Sequence, residues 1–171
     1  MAISLRRGEK LPLAVRRAVE LGPSERVLSW GREEASGTTV VATNQRLCAV
    51  GGAGERVMTR PWHDVDGGTW SSELGQLTVT WVDGSRPSQW VLGESSLLPE
   101  TVRERVQASV VLAQRIDLGP RRSARAVIRQ DLGSGDLLEQ VVLGRGVPGD
   151  DPEVAQQAAA ALAYLREQVG L

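Results

Sequence analysis

The spacing of apolar positions changes character along this chain. Between residues 27 and 92 apolar and polar side chains alternate in short runs, at 27–30, 38–42, 47–50, 55–62, 68–72, 76–82 and 88–92. A two-residue period sends successive side chains to opposite faces, so each run predicts a half-buried strand. The connections at 33–37, 43–46, 51–54, 73–75 and 83–87 are short and carry glycine or, in Asn44, a side chain able to bond its own backbone. Such links join antiparallel neighbours. Seven strands with no helix between them predict a strongly bent antiparallel sheet or open barrel.

Helical spacing flanks this region. Leu11, Val15, Ala18 and Val19 share one face, with Pro12 suited to a first helical position and Gly22-Pro23 as the stop, so residues 1–22 are assigned to a helix that docks on the sheet. The segment after residue 98 supports two readings. Leu98, Val102, Val106 and Val110 keep a helical period, whereas Val110, Leu112, Gln114, Ile116 and Leu118 alternate as a strand does. We expect a helix over 99–107 and a strand over 109–117; the alternative is one helix ending near Gln114. Strands at 124–130 and 137–143 follow, joined by a turn at 131–136. The final helix has Asp151 as N-cap, Pro152 at its first position, and Val154, Ala158, Ala161, Leu162, Leu165 and Val169 as its apolar stripe. The expected class is α+β: a seven-stranded unit with a capping helix over 23–107, and antiparallel strands with a helix over 108–171 packed against it.

Composition adds constraints. The chain has 171 residues, 41% hydrophobic and 24% charged, which is ordinary for a soluble globular domain. Its formal charge of -1 supplies no global field toward nucleic acid or membrane. Arg6, Arg7, Glu9 and Lys10 interrupt any secretory apolar segment, and no run is long enough to span a bilayer, so a cytoplasmic location is expected. Cys48, the one cysteine, lies in an apolar strand and reads as a buried thiol. The tryptophans, Trp30, Trp62, Trp70, Trp81 and Trp90, all fall in the strand-rich region, where they would fill a core or cover its rim.

Candidate chemistry is sparse. Residues 144–149 fit G-x-G-x-x-G, but Pro148 and Pro152 remove amide donors, Asp150 and Asp151 add negative charge, and too little chain remains for a dinucleotide fold. His63, the single histidine, stands beside Asp64; the pair would serve as a general base only with a nucleophile in reach, and none is marked. Arg121, Arg122, Arg125 and Arg129, with Arg115 before them, form the densest basic cluster and are the candidate contacts for nucleic acid or another anion. In a strand over 124–130, Arg125 and Arg129 share a face, expected to be solvated. No cofactor or metal is called for.

The order ERVLSW, TTVVATNQRLCAV, RPWHDV, alternating strands and then a helix near LLPETVRERV resembles the bacterial pleckstrin-homology-like domains, and in particular an actinobacterial family built on that plan. It covers about residues 23–107. The resemblance implies a bent seven-stranded sheet closed at one end by a helix, on a fold that hosts lipid-head binding, peptide binding and scaffolding alike. Inositol phosphates, ligands of related eukaryotic domains, are held by cations around the first loop; here Glu33 and Glu34 stand beside Arg32 and would repel a polyphosphate. The expectation is therefore a non-enzymatic intracellular binding or adaptor module with a protein partner. The alternatives are weak nucleic-acid or anion binding through the arginine cluster, and an enzyme using His63 and Asp64.

Overall fold

The computed structural model describes residues 10–93 and 96–171; residues 1–9 of the segment assigned to the first helix lie outside it. Helix α1 (Leu13–Val19) precedes β1 (Val27–Arg32), β2 (Thr39–Thr43), β3 (Arg46–Val50) and β4 (Arg56–Pro61), which pair in that order as a four-stranded antiparallel sheet. A 3-10 turn at Trp62–Asp64 leads into β5 (Val65–Ser71), β6 (Gln76–Trp81) and β7 (Ser88–Val91), a second, three-stranded sheet. Helix α2 (Leu98–Ser109) runs directly into β8 (Val110–Asp117), which with β9 (Ser123–Gln130) and β10 (Leu137–Leu143) forms a third sheet of order β10-β9-β8. Helix α3 (Pro152–Val169) ends the fold. The class is α+β and every strand pairing is antiparallel.

The seven strands thus divide four and three, and among the described residues no sheet closes on itself. The division falls where Pro61 removes a backbone donor and the 3-10 turn redirects the chain. One core lies between the two sheets. Val40, Ala42, Leu47 and Ala49 enter it from the first sheet, Val65, Leu77, Val79, Trp81 and Trp90 from the second, and Leu98 and Val102 of α2 plug it. Trp62 fills its centre with its indole N–H donating to the Thr43 carbonyl at 2.9 Å. The tryptophans therefore supply bulk, as their spacing suggested: Trp70 packs on this core and Trp30 on another.

The opposite face of the first sheet is covered too. Val15 and Val19 of α1 pack on Val41, Cys48 and Val50, which explains why β2 and β3 are buried on both sides. Pro12 occupies the N-cap position, one residue outside the helix it was expected to begin, because its extended ψ of 140° does not continue into the helical turn. Strand β5 begins three residues before the expected start at 68. A Cβ on Gly68 would lie 2.8 Å from Val102 Cγ1, so the glycine lets α2 close on the sheet.

The segment from 98 to 117 is a helix followed by a strand, which excludes the single long helix. Ser109, fully buried at the switch, turns its hydroxyl back to the Val106 carbonyl at 2.7 Å while Val110 takes up extended backbone. In the third sheet, Ile116, Ala124, Ala126 and Ile128 pack under Ala158, Ala161 and Leu165 of α3. That helix is capped as expected, with the Asp151 side chain accepting from the Glu153 N–H at 2.9 Å and Gly170 closing the other end at φ 74°.

Candidate functional site

Two groups of candidates that lie far apart in sequence meet in one place. The face of β9 carrying Arg125, Val127 and Arg129 is only partly solvated: Arg125 stays exposed, while Val127 and Arg129 are buried where the face turns toward the 3-10 turn and the start of β5. Arg129 is 1% exposed and donates to Ser109 Oγ at 2.7 Å and to the Val65 carbonyl at 2.9 Å. Burial pushes its pKa down from the ordinary arginine value; Asp66 pushes it back up, Arg125 lowers it, and Asp64 raises it. A guanidinium remains charged nonetheless, so this is a buried cation held by neutral acceptors and the field of two nearby carboxylates. Arg125 pairs with Asp66. Arg122 lies 3.4 Å from Asp151, the cap of α3. Arg121 is exposed in the turn between β8 and β9, with a left-handed φ of 59°.

His63 lies on the other side of this seam. Its Nε2 stands 3.8 Å from Asp64 and its Nδ1 4.0 Å from Asp131, both beyond hydrogen-bond reach. Asp64 is itself engaged by Arg60 at 3.4 Å. The backbone carbonyl of His63 accepts from the Gln140 amide at 2.7 Å, so His63 fastens β10 to the seven-stranded unit through its main chain. Among the described residues no serine, threonine or cysteine is hydrogen-bonded to the imidazole, and the nucleophile that a general base would activate is missing from its contacts. Nor does any group of three His, Cys, Asp or Glu side chains there form a metal-binding set.

The glycines of residues 144–149 serve chain reversal. A Cβ at Gly144 would come within 2.2 Å of the Ser123 carbonyl, whose oxygen accepts the Gly144 N–H at 2.8 Å, and Gly146 has a φ of 75°. Strand β1 runs two residues past its expected end at 30, through Gly31 and Arg32, so the link to β2 begins at Glu33. Glu33 there accepts from the Val91 N–H at 2.9 Å and from Ser36 at 2.6 Å, tying the first sheet to the second.

A residue with no motif around it is among the most heavily bonded. Arg46 donates to Glu25 Oε1 at 2.8 Å, to Thr59 at 3.1 Å and to the Val19 and Glu20 carbonyls at 2.8 and 3.0 Å, so it anchors the C-terminal end of α1. Burial would raise the pKa of Glu25, but hydrogen bonds from Arg46, the Gly22 N–H and Thr43 outweigh it, and the net direction is down. A polar hollow of about 370 Å³ opens beside this arginine, against Asp131 and Ser134, but the Arg46 donors facing it are already used.

An apolar opening exists elsewhere, between β10 and α3. Val141, Leu143, Gly149, Ala155, Ala159 and Leu162 line a groove of about 350 Å³ that contains no titratable side chain. It arises because α3 lies over β8 and β9 and leaves β10 partly uncovered. Ala155, Ala159 and Leu162, at helical spacings of four and three, present a small-residue flank to it, while Arg166 on the same flank grips Glu139 with contacts of 2.5 and 2.6 Å. Among the described residues β10 has a strand on one side only. The Asp131 N–H donates to the Asp136 carbonyl and the Gly144 N–H to Ser123, which sets the parity of the ladder. Leu138, Gln140 and Val142 bond to β9, and Leu137, Glu139, Val141 and Leu143 turn their backbone groups to the open edge. The sequence marked the buried stripe of α3 but not this neighbouring flank, whose only signal is alanine where a surface helix usually carries long polar side chains.

Compared with models of protein families and with curated proteins, the chain matches none. Among the described residues no helix is long and apolar enough to cross a membrane.

Proposed function

We propose that this protein is a non-enzymatic cytoplasmic binding module on a pleckstrin-homology-like frame, and that it takes an extended polypeptide segment of a protein partner at the β10 edge. The division of seven strands into four and three, followed by a helix that plugs their core, supports the frame. The single observation that carries the binding reading is a strand edge, unpaired among the described residues, lying beside an apolar groove, the two ingredients of strand addition: main-chain hydrogen bonds for affinity and a pocket for alternate side chains. The nucleic-acid or anion reading draws less support, since Arg129 is buried and Arg122 and Arg125 face carboxylates. The experiment is retention of displayed extended peptides with apolar residues at alternate positions, measured by fluorescence anisotropy on purified protein. Ala159→Glu, at an exposed groove position, should weaken retained peptides at least about tenfold by placing a charge against apolar contacts. Retention of no peptide, or affinity equal to wild type in both Ala159→Glu and Leu143→Lys, a second groove position, would remove the reading.

A further inference from the structure

We infer that the segment taken by β10 is the β10 of a second copy of this chain, which makes the protein a two-fold symmetric dimer in solution. The inference rests on the docking edge proposed above and names its occupant. Strand β10 reads Leu-Leu-Glu-Gln-Val-Val-Leu over 137–143, and its polarity is nearly the same in both directions: apolar at 137, 138, 142 and 143, with Gln140 at the centre. Two identical antiparallel strands are related by a two-fold axis at one register position, so such a strand can serve as its own complement.

The parity of the β9 ladder selects the register. Only Leu137, Glu139, Val141 and Leu143 offer backbone groups to the edge. An axis at Gln140 places Leu137 opposite Leu143 of the other copy and Glu139 opposite Val141, so all four residues pair and roughly eight backbone hydrogen bonds form. An axis at Glu139 leaves Leu143 unpaired and sets Glu139 against its own copy, and an axis at Val141 leaves Leu137 unpaired. The favoured register also covers Leu137 and Leu143, each 38% exposed in the single chain. Leucines at both ends of an edge strand are what a solitary edge avoids, since such edges are commonly protected by lysine, proline or a bulge. Strand β10 has none of the three, and its one charge, Glu139, is already neutralised by Arg166.

Area sets the strength. A seven-residue strand is about 24 Å long, and a sheet edge with its helical layer is about 20 Å deep, so pairing buries about 500 Å² on each copy, near the lower limit for a specific interface. The association is therefore weak, with a dissociation constant on the order of 10 µM.

Sedimentation equilibrium on the whole chain tests this. The weight-average mass should rise from one chain toward two between about 1 µM and 1 mM, as that constant requires. A variant carrying Leu137→Lys and Leu143→Lys, and another carrying Leu137→Glu and Leu143→Glu, should each keep the mass of one chain, because like charges then face each other at both ends. Their equimolar mixture should regain the mass of two, since every lysine then faces a glutamate. Far-UV circular dichroism of each variant establishes that it is folded. A wild-type mass of one chain at every concentration overturns the inference, as do charged variants that associate like wild type or a mixture that stays at one chain. Alternating peptides retained by a strictly single-chain protein, and lost in Ala159→Glu, leave the binding module standing with a different occupant; loss of both observations removes the module as well.

Discussion

Arg129 offers a test of how the seven-stranded unit and the C-terminal sheet are held together. Truncation to alanine removes two hydrogen bonds from a charged donor, at 2.7 and 2.9 Å, and opens a void where a fully enclosed side chain stood. Bonds of that kind contribute about 1.5–3 kcal/mol each, and a void left by a large-to-small change in a core costs about 2–5 kcal/mol. Arg129→Met is a different perturbation. It fills most of the space, removes an ion that was costly to desolvate, and leaves Ser109 bonded to Val106; the Val65 carbonyl is the principal orphan, at about 1–3 kcal/mol. Alanine should therefore be worse than methionine by about 2 kcal/mol, a large share of a stability of about 5–15 kcal/mol. Urea denaturation separates the two parts of the molecule, because every tryptophan lies between residues 30 and 90 while α3 contributes strongly to far-UV circular dichroism. In wild type the fluorescence and dichroism transitions should coincide, and in Arg129→Ala the dichroism transition should come at lower urea. An Arg129→Ala protein within about 1 kcal/mol of wild type, with coincident transitions, would refute the role given to this side chain.

Three further outcomes are expected. Glu25 is held below the ordinary glutamate range in the folded chain, so as pH falls the unfolded chain takes up the proton first; stability is fully present above the ordinary value and is lost as pH drops toward the depressed one. Thermal melts across that window should show a flatter acid limb in Glu25→Gln, and an unchanged slope would assign acid sensitivity elsewhere. Gly68→Ala sets a methyl 2.8 Å from Val102 Cγ1 and should cost about 1–3 kcal/mol in urea midpoints, with much of the loss removed when Val102→Ala is added; additive losses would deny the contact. Cys48 is enclosed, with burial raising its thiol pKa, so a thiol reagent at neutral pH should modify it only in denaturant, and rapid labelling of the native protein would contradict the packing under α1.

Local chemistry was sufficient for most of the elements. The Asp151-Pro152 start of α3, the alternation of β6 and the turn at 131–136 each reflect preferences satisfied within a few residues, and the structure has them where the pattern put them. Failures occur where a distant residue decides. Strand β5 starts at Val65 rather than at Gly68, and α2 packs on Gly68 from more than thirty positions away. The end of α2 is fixed by Ser109, whose hydroxyl receives Arg129 from β9. Of the arginine pair on β9, Arg125 is exposed as its face suggests but Arg129 is buried, because period alone gives which residues share a side, not what covers it. The same limit hid the groove: apolar residues of α3 and β10 are visible in sequence, but the offset that leaves them uncovered belongs to the packing of helix on sheet.

Helix α2 passes into β8 without a single intervening residue. The part of the molecule that stoppers the main core is therefore continuous with the first strand of the outer sheet, and there is no slack between them. A pull on that sheet is shared between the last helical turn at Ser109 and the ties that Arg129 and Gln140 make to Val65 and His63, and through the helix reaches Leu98 and Val102 inside the core. Whatever grips the far edge of the outer sheet consequently acts on a stiff lever whose short arm ends among the tryptophans.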